Sequence, residues 1–192
     1  MTLPRLIGLY SPAPGSGKST VASYLGANFG FHKVSFAAPL KRMIRTFLLT
    51  FGLPAARVDH YVYDAKEELI PELGVTARHL LQTLGTEWGR ECVHPSIWLR
   101  CWESALTTKQ WTDTPVICDD VRFPNEADLI RRFGGELWLI HRPEAIRATE
   151  HASEGALDGF VFTRRIVNDG SLIELYGRVA ACMTPEREAV TP

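Results

Sequence analysis

Cysteine is scarce in this chain: Cys92, Cys101, Cys118 and Cys182 are its four, and no two form a C-x-x-C pair. That spacing argues against a zinc site or a disulfide framework, and it predicts reduced, mostly buried thiols in a cytoplasmic protein. No run approaches the ~20 apolar residues of a membrane helix. The N-terminal apolar stretch is too short, and too soon broken by Pro and Gly, to read as a secretory leader, so no membrane partner is expected. Surplus charge is missing too. Lys and Arg number 21 against 22 Asp and Glu, a net charge of −1, so the partners expected are small molecules and not a nucleic acid polymer. There is no internal repeat, low-complexity tract or charge block, and 45% apolar content excludes a disordered chain. The 192 residues predict a single domain over 1–183 with a sizeable core, and a frayed tail over 184–192.

What is present is a loop. Leu6-Ile7-Gly8-Leu9-Tyr10 reads as a buried strand and Val21 to Gly26 as the start of a helix, with Ser11-Pro12-Ala13-Pro14-Gly15-Ser16-Gly17-Lys18-Ser19-Thr20 between them. Strand, glycine-rich turn and helix in that order make an anion site, because backbone N–H groups and the free helix end supply partial positive charge. The pattern G-x-x-x-x-G-K-[ST] is met except at its first glycine, which is Pro12 here, so the chain must leave the strand by a different turn. Gly15 through Thr20 are intact. The loop is expected to bind a nucleoside triphosphate, with Lys18 on the outer phosphates and the Ser19 hydroxyl on Mg2+.

Further along, Phe31 to Phe36 reads as a second strand, and Pro39 opens a helix with Met43, Ile44, Phe47 and Leu48 on one face. Lys41, Arg42 and Arg45 near its start fit either a solvated face or a contact to an acceptor phosphate. Phe51 to Leu73, interrupted by Gly52, Pro54 and Pro71, predicts a loop with short helical pieces. Thr76 to Arg90 predicts a helix with a stripe at Leu80, Leu81 and Leu84 and a break near Gly85-Thr86; its Arg78, Gln82, Glu87 and Arg90 are polar beyond what filler requires. Trp98 and Trp102, four apart in a helix over Ser96 to Leu106, favour core packing over base stacking.

Thr114 to Asp120 reads as a central parallel strand with two carboxylates at its tip, where ligands of open α/β sheets bind. Asp120 is preferred over Asp119 as a magnesium ligand because it adjoins Val121 to Glu126; capping of the next helix is the alternative for either. A helix over Asn125 to Arg132, a stop at Gly134-Gly135 and a strand over Glu136 to Ile140 follow. His141 to Glu154 is polar, carries Arg142 and Arg147, and suits a lid closing over phosphates, with a surface helix the alternative, for Arg147 and His151 individually as well. Phe162 to Val167 is a fifth strand, and Asn168-Asp169-Gly170-Ser171 turns into a last helix with Leu172, Ile173 and Leu175. The alternation implies a parallel sheet covered on both faces, an α/β fold.

Gly15-Ser16-Gly17-Lys18, Ser35 to Lys41, Leu81 to Arg90, Asp120 to Glu126, His151-Ala152-Ser153-Glu154 and Asn168 to Leu172 occur in an order that resembles phage-type deoxynucleoside monophosphate kinases. The phosphate loop is shared by many proteins; Leu-Gln-x-x-Gly-Thr-Glu and Asp-Val-Arg-Phe-Pro-Asn-Glu are far more selective. Pro12, and Ala38 where an acid is common, depart from the pattern. The resemblance implies a P-loop kinase fold: a three-layer α/β/α domain with a five-stranded parallel sheet, a monophosphate-binding lobe near 38–110 and a lid near 142–160.

It further implies transfer of the γ-phosphoryl of ATP to a deoxynucleoside 5′-monophosphate. Lys18, Asp120, Arg122 and Arg147 would be catalytic. Gly15, Ser16, Gly17, Lys18, Ser19, Thr20, Arg142 and Asn168 would bind the donor, with Asn168 near the adenine. Lys41, Gln82, Arg90 and Arg122 would bind the acceptor, and Ser19 and Asp120 the Mg2+. A homodimer is left open. Two rival readings share the donor loop: a kinase for another small acceptor, such as a coenzyme precursor, and a non-catalytic ATP-binding module.

Overall fold

The computed structural model describes residues 3–107, 113–145, 156–157 and 159–184. The chain runs through β1 (Leu6–Tyr10), α1 (Lys18–Phe29), β2 (His32–Lys33), α2 (Ala38–Thr50), α3 (Ala55–Asp59) and a π-helical turn (His60–Asp64). Next come β3 (Leu69–Ile70), β4 (Val75–Thr76), α4 (Ala77–Thr83), a π-helical segment (Leu84–Val93) and α5 (Ile97–Leu106). The last elements are β5 (Val116–Cys118), α6 (Pro124–Arg132), β6 (Glu136–His141), β7 (Arg164–Val167) and α7 (Leu172–Met183). The described residues of 1–35 and 106–192 form one compact unit, and those of 36–105 a second.

The first unit is built on a five-stranded sheet in the order β2-β5-β1-β6-β7, with every pairing parallel. β1 is central and buried along its whole length, as an unbroken apolar run in a parallel sheet requires. Its residues alternate between faces. Ile7 and Leu9 join Val21 and Leu25 of α1 and Leu175 and Val179 of α7 in one core. On the other face Gly8 has Val121, Leu137 and Ile130 of α6 so close that a side chain would crowd all three. Helices therefore cover both faces of the expected three-layer α/β/α arrangement.

Three strands are shorter than expected, and β5 covers only Val116–Cys118 of the expected Thr114 to Asp120. The expected Phe31–Phe36 strand pairs only at His32 and Lys33, because β2 is an edge strand whose sole neighbour, β5, is three residues long. Val34 N–H still reaches Ile117 O at 2.9 Å, and there the ladder ends. At β7 the pairing begins at Arg164, since Phe162 instead stacks on Tyr10 with ring centroids 5.5 Å apart. Of the three apolar residues opening α7, only Leu175 is buried; Leu172 and Ile173 are exposed.

In the second unit the helix face differs from the expected one. α2 buries Leu40, Ile44 and Leu48, spaced by four, whereas Met43 and Phe47 lie on its shoulder and are exposed. Trp98 and Trp102 are core residues, as expected, and Trp102 stacks on Phe36 at 4.8 Å. The helix expected over Thr76–Arg90 changes character at its Gly85 break. α4, capped by Thr76 Oγ1 accepting from His79 N–H, gives way to π-helical backbone closed by His94 N–H to Gly89 O at 2.9 Å. The wider turn leaves Gly85 O open to the Trp98 indole N–H, which donates to it at 2.7 Å. The thiols are free, but only Cys118 is buried; Cys92 is exposed and Cys101 and Cys182 are half-buried.

Candidate active site

The loop after β1 solves the Pro12 problem with a side chain. Ser11 Oγ accepts the Ala13 N–H at 3.3 Å and lies 3.2 Å from Ala13 O, so the chain turns at Pro12 without a left-handed residue there. Left-handed backbone is confined to Gly15 (φ 68°) and Gly17 (φ 102°), where glycine carries no penalty. α1 then starts at Lys18 with no side-chain cap and no acid in its first turn. Gly17 at its cap has no side chain and the first turn holds no acid, so the partial positive charge of that helix end is not neutralised by either. Ser16 Oγ, in a residue 1% exposed, has no hydrogen-bond partner among the described residues. Such a hydroxyl is costly to bury unless something else satisfies it.

A cavity of about 420 Å³ opens here. The polar loop from Gly15 to Thr20 lines one side with Arg142 and Asn168; Leu172 and Leu175 give it an apolar wall. An anion-binding strip beside an apolar wall suits a molecule with a phosphate tail and a flat apolar head. Arg142 Nη1 donates to Gly15 O at 3.4 Å and Asn168 Nδ2 to Ser16 O at 2.9 Å, so both side chains hold the loop.

The tip of β5 presents two carboxylates in different circumstances. Asp119 is engaged by the protein: Ser35 Oγ donates to it at 2.7 Å, and Lys33 Nζ lies at 3.3 Å, tying the ends of β2 and β5 together. Asp120 Oδ1 accepts from the Cys118 thiol at 3.3 Å. Burial, reinforced by the Asp120 charge, holds the Cys118 pKa well above its ordinary value, so the thiol stays a donor. No group of three or more His, Cys, Asp or Glu gathers to hold a metal among the described residues. A donor set of one carboxylate and one hydroxyl fits Mg2+, which typically completes its shell with substrate phosphates and water.

A family model described as deoxynucleotide monophosphate kinase matches residues 53–179. A protein of Acanthamoeba polyphaga mimivirus, assigned as a deoxynucleotide monophosphate kinase, is 34% identical over 194 residues, covering 93% of this chain and 95% of the viral protein. The chain belongs to the deoxynucleotide monophosphate kinase family. A deoxynucleoside-5′-monophosphate kinase of Escherichia phage T5 is also 34% identical, over 114 residues, 56% of this chain and 45% of the phage enzyme. The enzyme is thus a phosphotransferase that acts on deoxynucleoside monophosphates, with ATP as the donor its family implies.

Within this kinase, the residues expected to bind the donor nucleotide, from Gly15 to Thr20 with Arg142 and Asn168, line one cavity. Asn168 sits there as a contact to the loop backbone. Asp120 and exposed Arg122 follow β5 in the same unit. Lys41, exposed Gln82 and half-buried Arg90 belong to the second unit, where Lys41 Nζ lies 5.9 Å from the Tyr63 ring centroid. Arg147 lies outside the described residues, as do His151 to Glu154.

One residue of the Asp120–Glu126 motif had no role assigned from sequence. Glu126 is 2% exposed, and its Oε2 accepts the Arg122 N–H at 2.8 Å and the Phe123 N–H at 3.1 Å. It shapes the bend that presents Arg122 and caps α6; the acid three residues after the start of a helix was the available signal. Glu126→Ala should therefore cost about 1–3 kcal/mol in urea unfolding, because it removes the acceptor of two part-buried backbone donors. If Arg122 binds the acceptor as expected from sequence, the same variant should raise the acceptor KM while leaving ATP affinity near wild type.

Proposed function

We propose that ATP lies with its triphosphate on residues 15–20 and its adenine toward Leu172 and Leu175, and that its γ-phosphoryl passes directly to the phosphate of a deoxynucleoside 5′-monophosphate. An acceptor phosphate oxygen forms the new bond to Pγ as the bond from Pγ to the β,γ-bridging oxygen breaks, leaving ADP and a deoxynucleoside diphosphate. The acceptor is already anionic near neutral pH, so no general base is needed. Catalysis then consists of positioning and charge neutralisation.

In this reading Lys18 draws charge from the β- and γ-phosphates, and the N–H groups of Gly15 to Thr20 cradle them. Arg142 serves the donor; Arg147 is assigned with it to lid closure, which excludes water as a competing acceptor. Arg122, Arg90, Lys41 and Gln82 are assigned to the acceptor, the arginines by their two-pronged fit to phosphate oxygens. Ser19 and Asp120 would hold Mg2+, which neutralises charge on the phosphates when bound. Asp120 is taken over Asp119 because it adjoins the Val121 to Glu126 segment; Asp119 ties the ends of β2 and β5 together through Ser35 and Lys33. The enzyme is placed in the cytoplasm, where its nucleotide substrates are; among the described residues no helix is long and apolar enough to cross a membrane.

The observation that carries this reading is the acid-free start of α1 behind Gly17, beside a buried Ser16 hydroxyl with no hydrogen-bond partner among the described residues, in a cavity with an apolar wall. Its test is a panel of all deoxy- and ribonucleoside monophosphates with labelled ATP. Slow ATP hydrolysis alone and rapid transfer with one or more deoxynucleoside monophosphates is the expected result. Turnover indifferent to every monophosphate would end it, and transfer only to an unrelated small acceptor would point to a different substrate.

A further inference from the structure

Asn168 is a fixed post. Its own N–H donates to His141 O at 2.7 Å, which continues the β6–β7 ladder by one residue. On its other side the turn into α7 is braced twice. Arg178 of α7 bonds Val167 O and pairs with Asp169 Oδ1 at 2.6 Å. Glu174 Oε2 accepts from Ser171 N–H at 2.6 Å and from Ser171 Oγ at 2.8 Å, and those bonds hold its carboxyl below the usual carboxylate range. Gly170 leaves the space that this carboxylate fills, since a Cβ there would come within 2.3 Å of it.

From this post the Asn168 amide reaches Ser16 O at 2.9 Å; the partner is a carbonyl, so the amide nitrogen must face it. Gly17 is the position where that amide meets the loop, for a Cβ on Gly17 would stand 2.7 Å from Nδ2. The peptide from Ser16 to Gly17 is planar and trans, so its C=O and N–H point in opposite directions. Holding Ser16 O toward Asn168 therefore aims the Gly17 N–H away from it. Arg142 grips the preceding carbonyl, Gly15 O, at 3.4 Å and sets the Ser16 N–H by the same geometry.

We infer that Asn168 is a positioning residue: it turns the Ser16–Gly17 peptide so that the Gly17 N–H faces the phosphates before any nucleotide arrives. This rests on the reading of residues 15–20 as the triphosphate site, and it gives Asn168 a role independent of the adenine. Fixing the peptide in advance removes an ordering cost from each binding event, so the effect belongs to the phosphate tail.

Calorimetry with inorganic tripolyphosphate and with ATP, on wild type, Asn168→Ala and Asn168→Leu, tests it. Both variants should lose affinity for the two ligands equally, by about tenfold. Leu is close to Asn in size but has no N–H to donate and brings no charge beside the phosphates, so it should behave like Ala; should the Ala variant fold poorly, Leu carries the test. In the ligand-free protein, NMR should show the Gly17 amide exchanging faster in both variants, with Tm near wild type. Loss for ATP with tripolyphosphate unchanged would overturn the inference and make Asn168 an adenine contact. Unchanged affinity for both ligands would overturn it while leaving the loop reading intact. A wild type that binds neither ligand would remove the loop reading and this inference together.

Discussion

Lys18→Ala should lower kcat by about 10²- to 10³-fold, the usual cost of removing one preorganised charge-stabilising group, and should weaken ATP binding measurably by calorimetry. Lys18 is the first residue of α1, half-buried and in the wall of the cavity with Gly15, Ser16 and Ser19. On the proposed reading its charge adds to that of the helix end, and both would act where negative charge moves from Pγ to the leaving oxygen. The loss should fall mainly on kcat, since that shift of charge is largest in the transition state. Lys18→Arg tests shape against charge: a guanidinium keeps the charge but is broader, so only partial recovery is expected. Binding and turnover both unchanged in Lys18→Ala would contradict the donor site as drawn.

The second large effect concerns folding of the 36–105 unit. A Cβ on Gly89 would stand 2.4 Å from Trp98 Cζ2, 2.7 Å from Cε2 and 2.8 Å from Nε1. The indole is 3% exposed and tied to Gly85 O, so it has no easy retreat. Gly89→Ala should destabilise the protein by about 2–4 kcal/mol in urea, from overpacking together with the lost indole hydrogen bond. Trp98→Phe removes the atoms that clash, so the double variant should be less destabilised than the sum of the two singles. Gln82 and Arg90 flank this contact in sequence, so the acceptor KM should rise while ATP affinity holds. A Gly89→Ala protein within about 0.5 kcal/mol of wild type, the range of an ordinary surface change, would show that Trp98 can move aside.

Much of the first unit was legible because its signals are local. The apolar run of β1, the glycines at 15 and 17, and the stop at Gly134-Gly135 each report backbone behaviour within a few residues. Periodicity was less informative where several neighbouring positions are apolar. On α2 the sequence offers Leu40, Met43, Ile44, Phe47 and Leu48, and only packing against Val58, Tyr61 and Val62 selects Ile44 and Leu48 for burial, while Leu40 lies over Gly85. The π-helical segment was visible as a break at Gly85, but its form depends on Trp98, thirteen positions away.

Composition and order alone determined a parallel α/β unit around a glycine-bearing turn between β1 and α1, because those features follow from hydrophobic period and from which residues tolerate a left-handed bend. Which partners Asp119 takes at the end of β5, and what holds the loop after β1 in shape, were decided only by the tertiary structure. Ser35 meets Asp119 across 84 positions, and Asn168 meets Ser16 across 152. A hydrogen bond between side chain and distant backbone leaves no periodic trace in either segment; it exists only once the sheet has brought the two together.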